Sequence, residues 1–353
     1  MTAVAVMGAG SWGTAFAMVL ADAGGDVRLW ARDEAIVADV TTHRRNRAYH
    51  PDLELPSGIV ATTDADAALA GARIVVLALP SQTLRENLER WRAAVPADAV
   101  LVTLVKGIEA GTALRMSELV AQVMRAPMSR VAVVSGPNLA AEIVRRQPAA
   151  TTVACADEAS ARALQAACAT AYFRPYFTTD VVGVEIGGAV KNVIAIATGM
   201  AAGYRLGENS QAALITRGLA EMTRLGVALG ANPMTFLGLA GIGDLVATCS
   251  SPLSRNRTFG ENLGRGLTVE QTLAVSVQTC EGYKSSRAIL DLAQRHGVDM
   301  PITEQVVQVL HHGLQPTDML QALMARSPKA ELGYAALAGG DSRSPSAGPD
   351  AVA

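Results

Sequence analysis

Aromatic residues make up only 4% of this 353-residue chain, and cysteine occurs four times, at Cys155, Cys168, Cys249 and Cys280. No two of these stand in CxxC spacing, and the five histidines complete no zinc pattern with them, so no metal is expected. Two readings of the thiols remain. They are reduced side chains of an intracellular protein, or one of Cys249 and Cys280, each near a polar candidate, is a nucleophile lacking an evident activating base. An excess of charge of one sign is also missing. Thirty basic against 32 acidic residues give a formal net charge of -2, which argues against nucleic acid or an anionic membrane surface as partner. The first basic residue is Arg28, so the N-terminus lacks the charged region of a signal peptide and a cytoplasmic location is expected. The longest apolar run, near 193–204, is short for a bilayer and broken by glycines, so no membrane insertion is expected.

Hydrophobic residues are plentiful, at 50% of the chain, and the length is that of two domains. Gly8-Ala9-Gly10-Ser11-Trp12-Gly13 follows the apolar stretch Val4-Ala5-Val6-Met7 and precedes a helical pattern through Leu20. A strand, a glycine-rich turn and a helix start in that order form a dinucleotide fingerprint. Gly8 permits the tight bend, Gly10 lets the backbone approach a pyrophosphate, and Gly13 lets helix and strand pack closely. The free N–H groups at the helix start favour the anion. A glycine-rich turn without a ligand is the plainer alternative.

Further strand-like runs at 26–30, 73–79, 99–104, 131–134 and 151–154 alternate with helical patterns, as at Asp64 before the alanine-rich stretch closed by Gly71. Continuous apolar strands between helices predict a parallel sheet buried on both faces. The alternation stops near Asp180. From Val181 to Tyr204 the chain is apolar or small except for Glu185, Lys191 and Asn192, which predicts a helix buried among helices. Asn232-Pro233 and Pro301 read as helix starts, and Gly313 as a helix stop. Residues 1–180 are therefore read as an α/β nucleotide domain and 181–332 as an all-helical domain. The tail 338–353, rich in Gly, Ser, Pro and Ala, reads as disordered.

The second strand ends Leu29-Trp30-Ala31-Arg32-Asp33. No acid precedes Arg32, and a guanidinium there suits a 2′-phosphate, which favours NADP over NAD; Asp33 leaves room for NAD. The alternative for Arg32 is a solvated charge. Lys191 lies in the most apolar helix, where burial lowers a lysine pKa into the range of proton transfer. The competing reading is an ion pair with Glu185. Lys106-Gly107 and Ser135-Gly136-Pro137 follow strand ends, where ligands bind in open α/β sheets. Gly241-Ile242-Gly243-Asp244 reads as a glycine-rich loop carrying an acid. Ser254-Arg255-Asn256-Arg257 reads as a polar loop with donors for a phosphate, with Arg257 itself a solvated charge.

These segments together resemble bacterial NAD(P)-dependent glycerol-3-phosphate dehydrogenase. The resemblance is carried by GAGSWGTA at 8–15, KGIE at 106–109, SGP at 135–137, GGAVKNVIAIATGM at 187–200, ALITRGLAEM at 213–222, GDLVATC at 243–249, SRNRTFG at 254–260 and EGY at 281–283. It implies a Rossmann-type dinucleotide-binding domain followed by an all-α 6-phosphogluconate-dehydrogenase-like domain. It implies Lys191 as the acid/base, Lys106 touching substrate and cofactor, and Asn192 and Thr248 beside the reaction centre. Gly136 and Asn138 would line the substrate site. Asp244, Ser254, Arg255 and Asn256 would bind glycerol 3-phosphate, with Arg255 also touching the cofactor. Ser11, Trp12, Arg32, Tyr49, the Ala140 backbone, Thr279 and Glu281 match cofactor positions. Asn138-Leu139, His50 and Thr279-Cys280 depart from the family pattern.

The resemblance implies reversible hydride transfer between NAD(P)H and dihydroxyacetone phosphate, giving sn-glycerol 3-phosphate for phospholipid synthesis, in a homodimer. Two alternatives stand beside it: a two-domain dehydrogenase acting on a hydroxy acid, and a catalytically inactive NADP-binding paralogue that senses redox state.

Overall fold

The computed structural model describes residues 2–276 and 279–325. The tail at 338–353 and the last residues of the expected helical domain lie outside the described residues. Eight strands form one sheet: β1 (Ala3–Met7), β2 (Asp26–Trp30), β3 (Ile59–Thr62), β4 (Ile74–Leu77), β5 (Val100–Thr103), β6 (Val131–Ser135), β7 (Ala149–Cys155) and β8 (Phe173–Thr178). Their order is β3-β2-β1-β4-β5-β6-β7-β8. β4 and β6 are buried at every position, as strands covered by helices on both faces must be. The order reverses between β1 and β4, and open sheets of this kind bind ligands beyond the carboxyl ends of the strands at that point.

The sheet departs from the sequence reading in two respects. β7 runs antiparallel to β6, with Ser135 opposite Thr152, so the sheet is mixed rather than parallel. β3 and β8 were not anticipated. β8 is an edge strand whose first four residues alternate buried and exposed, and it holds Pro175, tolerated at an edge. Its alternation lacks the continuous apolar run by which the other strands were found.

The helical part is built around the 23-residue helix Val181–Gly203. Asp180 caps it, accepting from the Gly183 N–H at 2.9 Å, and holds the Pro233–Leu237 turn through Asn232 N–H at 3.0 Å and Thr235 Oγ1 at 2.6 Å. This helix is longer than the apolar run picked out in the sequence. By length and composition it could cross a membrane, yet 94% of its most apolar window is buried inside the fold. The helix Arg255–Gly264 crosses it closely: a Cβ on Gly260 would stand 2.0 Å from the Ile196 carbonyl oxygen. On the opposite side Glu221 caps the helix Pro301–His312, accepting from Ile302 N–H, Thr303 N–H and Thr303 Oγ1. Burial pushes the Glu221 carboxyl up to about 7 against those bonds.

Glu185 does not pair with Lys191. It reaches back to the nucleotide-binding side, accepting from Ser117 N–H at 2.7 Å, Ser117 Oγ at 2.6 Å and Arg115 Nη1 at 2.5 Å. Burial pushes its carboxyl upward while Arg115 pulls it down. The pair is almost fully enclosed, with side chains 4% and 11% exposed. Glu185→Ala, which leaves the buried Arg115 with only the more exposed Glu118 at 2.8 Å as its acid partner and the Ser117 N–H without its acceptor, is expected to lower the unfolding free energy by about 3 kcal/mol in a denaturant titration. A loss under about 1 kcal/mol would assign the pair the weight of a surface contact.

Candidate active site

The glycine-rich turn links β1 to the helix Ser11–Asp22. Gly8 has φ +128°, and a Cβ there would stand 2.4 Å from the Ala78 carbonyl oxygen; on Gly13 it would stand 2.0 Å from the Gly8 oxygen. At Gly10 a Cβ would meet nothing within 4 Å, so that face of the turn is open. The turn is buttressed by the Asn46–His50 segment, of which Tyr49 matched a cofactor position and His50 departed from the family pattern. Asn46, buried, donates to the Ala9 carbonyl at 3.0 Å and Thr14 Oγ1 at 2.9 Å. His50 Nε2 meets the Ser11 carbonyl at 2.9 Å. Burial lowers the His50 pKa, so the ring is neutral at pH 7. The Trp12 indole N–H is buried without a partner among the described residues, a free donor beside the open turn. Arg32 is exposed just past β2, while Asp33 uses Oδ1 to cap the next helix through Ala35 N–H at 2.9 Å. Tyr49 is half-buried in the Asn46–His50 turn, and Ala140 begins a short helix after β6. An open glycine turn, a helix N-terminus and an exposed guanidinium past β2 fit a dinucleotide with a 2′-phosphate.

Beyond the carboxyl ends of β5 and β6 the two lysines converge on one acid. Lys191 Nζ donates to Asp244 Oδ1 at 2.5 Å and Thr248 Oγ1 at 2.6 Å. Lys106 Nζ donates to Asp244 Oδ2 at 2.8 Å and to the Gly136 carbonyl at 2.9 Å. The Lys191 and Asp244 side chains are 7% and 2% exposed, and Lys106 is 16% exposed. Burial pulls the Lys191 pKa down to about 8; Asp244 raises it and Lys106 lowers it further. The close approach requires Gly188, where a Cβ would stand 2.8 Å from Ser135 Oγ and 3.4 Å from Lys106 Cγ.

Asn192 extends this centre. Its Nδ2 donates to the Lys106 carbonyl at 3.1 Å, and its Oδ1 accepts from Asn256 Nδ2 at 2.9 Å. Asn256 Oδ1 accepts from the Gly282 N–H at 2.9 Å and the Cys280 thiol at 3.0 Å. Arg255, exposed, donates to the Thr279 carbonyl at 3.2 Å. Ser254 caps the helix Arg255–Gly264. The Ser-Arg-Asn segment is therefore a helix N-terminus rather than a loop, a place whose free amides favour an anion. Likewise Gly241–Gly243 is a kinked helical turn running directly into the helix that Asp244 opens, not a loop. Asn138 ties its Nδ2 to Thr151 Oγ1 at 2.8 Å, leaving Oδ1 buried and unpartnered among the described residues.

Two family models match the chain: the N-terminal domain of NAD-dependent glycerol-3-phosphate dehydrogenase over residues 3–161 and its C-terminal domain over 180–321. The chain belongs to the NAD-dependent glycerol-3-phosphate dehydrogenase family. It is similar to the glycerol-3-phosphate dehydrogenase [NAD(P)+] of Streptomyces griseus, at 60% identity over 327 residues, covering 93% of this chain and 97% of that protein. The Thermobifida fusca enzyme of the same name is 58% identical over 332 residues, covering 94% and 99%. A crystal structure of glycerol-3-phosphate dehydrogenase from Coxiella burnetii superimposes with a TM-score of 0.87 at 38% identity, covering 92% of this chain and 98% of that one. D-Mandelate dehydrogenase, at 14% identity and a TM-score of 0.57, shares the fold alone. As a member of this family the chain is an NAD(P)-dependent oxidoreductase.

Direct hydrogen bonds join Lys106, Gly136, Lys191, Asn192, Asp244, Thr248 and Asn256, and a separate bond joins Arg255 to Thr279. None joins Arg32 or Tyr49 to that cluster among the described residues. Glu281, a cofactor candidate, instead accepts from Ser81 N–H and Oγ. The parts played by Ser81, Asn46 and His50 rest on contacts between segments distant in sequence, which no spacing rule detects. Arg257 is not a solvated charge: its side chain is 18% exposed, pairs with Glu261 at 3.0 Å, and has a buried Nε without a partner among the described residues. The nucleophile reading of Cys249 and Cys280 also fails, because both thiols are buried and desolvation pushes each up to about 11.

Proposed function

We propose that the chain reduces dihydroxyacetone phosphate to sn-glycerol 3-phosphate, reversibly, with Lys191 as the acid/base. The observation that carries this reading is the enclosed Lys191 ammonium, held at 2.5 Å by an Asp244 carboxylate that Lys106 shares. When bound, the reduced nicotinamide supplies a hydride to the carbonyl carbon. Lys191 Nζ gives its proton to the ketone oxygen, and in reverse the neutral amine accepts the alcohol proton. Asp244 fixes the ammonium through Oδ1 and Lys106 through Oδ2. Lys106 adds positive charge beside the substrate oxygens, and Asn192 and Thr248 hold the two lysines in place. Arg255, Ser254 and Asn256 clamp the phosphate at their helix N-terminus, and Gly136 and Asn138 line the opposite wall.

The cofactor assignments belong to the same proposal. Gly8, Gly10, Ser11, Trp12 and Gly13 take the pyrophosphate side, and Arg32 takes the 2′-phosphate. Tyr49, Lys106, Ala140, Arg255, Thr279 and Glu281 are the further contacts. A division into 1–180 and 181–332 is supported by the last strand ending at Thr178 and the central helix starting at Val181. A homodimer, a cytoplasmic location and a role in phospholipid synthesis complete the reading. A hydroxy-acid substrate has less support, because it need not carry the phosphate for which the Ser254-Arg255-Asn256 helix start has donors.

NADPH oxidation followed with and without dihydroxyacetone phosphate tests the activity. Turnover is expected only with the ketone, and Lys191→Ala is expected to lose about 10²–10⁴-fold in kcat while still binding NADPH. Near-normal turnover by that variant removes Lys191 as the acid/base. With Lys191 at about 8, kcat for ketone reduction falls as pH rises through about 8, because the ammonium is the donor. Over the same interval kcat for alcohol oxidation rises; flat profiles in both directions would contradict the assignment. Arg32→Asp is expected to raise the Kd for NADPH by roughly 10–100-fold and that for NADH much less, since a charge-assisted bond is lost. Equal losses for the two cofactors, measured by fluorescence titration, would free Arg32 of this role.

A further inference from the structure

The nucleotide-binding side and the helical part meet at a second acid. Ser81 lies in the turn after β4 and is 1% exposed. Its Oγ donates to Glu281 Oε2 at 2.5 Å, and its backbone N–H donates to Oε1 at 3.2 Å. Gln82 Nε2 donates to Ser81 Oγ at 3.1 Å and to the Ile108 carbonyl at 2.9 Å, which fixes the grip to the Lys106 segment. Gly107 presses on the same serine: a Cβ there would stand 2.8 Å from Ser81 Cβ. Glu281 begins the helix Glu281–Arg295, directly after Thr279 and Cys280. Those neighbouring residues hold the two phosphate-clamp side chains. The Thr279 carbonyl accepts from Arg255 at 3.2 Å, while the Gly282 N–H and the Cys280 thiol both donate to Asn256 Oδ1.

We propose that Ser81 is a positioning residue for the phosphate clamp: by gripping Glu281 it fixes the Thr279–Gly282 turn, and through that turn the side chains of Arg255 and Asn256. The inference rests on the phosphate-binding role proposed above for those two residues. An exposed arginine has several rotamers to lose on binding an anion, and a carbonyl that already orients it removes part of that cost. The turn can orient Arg255 only if the turn itself is anchored. Ser81 anchors it to the sheet, on the side from which the cofactor would enter. Cofactor contacts at Thr279 and Glu281 would then act on the same turn that sets the substrate clamp.

The test uses the full chain, saturating NADPH, and the variants Ser81→Ala, Glu281→Gln and the double variant. Each is assayed with dihydroxyacetone phosphate and with dihydroxyacetone, which lacks the phosphate. Each single variant is expected to raise KM for the phosphorylated ketone by roughly three- to tenfold, as for loss of one hydrogen bond to a charged group. For Ser81→Ala, kcat is expected to stay within about twofold of the unsubstituted chain and kcat/KM for dihydroxyacetone to stay unchanged; Glu281, itself a proposed cofactor contact, is read only through the comparison of the double variant with the single ones. The double variant is expected to be no worse than the worse single one, because both substitutions cut the same link. Multiplicative effects in the double variant overturn the inference, as do equal losses with both ketones. An unchanged KM in Ser81→Ala overturns it; where that variant folds poorly, an unchanged KM in Ser81→Cys, which keeps the side chain's place but weakens the bond to Glu281, overturns it equally. No ketone-dependent turnover by the unsubstituted chain sinks the parent reading and this inference together; turnover with multiplicative variants sinks the inference alone.

Discussion

Two ammonium groups share the single carboxylate of Asp244, which is buried together with Lys191 while Lys106 stays partly exposed. A buried lysine without a partner would lose its proton or unfold its surroundings. One acid cannot fully compensate two cations, so the pocket carries an excess of positive charge. That excess, with desolvation, keeps Lys191 easier to deprotonate than an exposed lysine while Asp244 keeps it available as an ammonium. The arrangement suits a group that must give and take a proton near neutrality. It also explains why the acid opens a short buried helix. Asp244 is aimed by a rigid element rather than by a loop, so both oxygens reach their lysines at hydrogen-bond distance.

The convergence depends on small residues as much as on charged ones. Lys106 comes from a segment after β5, Lys191 from the middle of the central helix, and Asp244 from the start of the helix that follows Gly241–Gly243. They meet because Gly188 leaves room for the Lys106 stem and Ser135 to press against the helix. Gly260 plays the corresponding part at the crossing that brings Asn256 against Asn192. A methyl group at either place would push apart backbones whose separation sets the reacting geometry.

Two glutamates join the halves of the molecule at different depths. Glu185 is fully enclosed and tied to Arg115 and Ser117, which fixes the central helix against the sheet less than two turns from Lys191. Glu281 is half-buried and tied to Ser81 at the cleft. The deep link fixes the stretch of the central helix that carries Lys191. The shallower one ties the turn after β4 to the start of the helix Glu281–Arg295.

The sequence by itself determined the local elements and most of the chemistry-bearing residues. The glycine-rich turn, the six apolar strand runs, the caps at Asp64 and Asn232 and the all-apolar central helix are written in nearest-neighbour patterns of period 2 or 3.6. The motif set around Lys106, Lys191, Asp244 and Ser254-Arg255-Asn256 was legible for the same reason: each is a short contiguous string. Tertiary structure alone decided which groups face one another. Glu185, six residues from Lys191 on one helix, pairs with Arg115 instead. Arg257, two residues from Arg255, turns inward while Arg255 stays at the surface. Asn46, His50 and Ser81 gain their parts only by contacts with segments dozens to hundreds of residues away. The antiparallel turn of β7 and the edge strand β8 likewise follow from how the sheet closes. Partner choice depends on backbone approach and burial across the whole fold, and a linear pattern carries no distance between segments that meet only after folding.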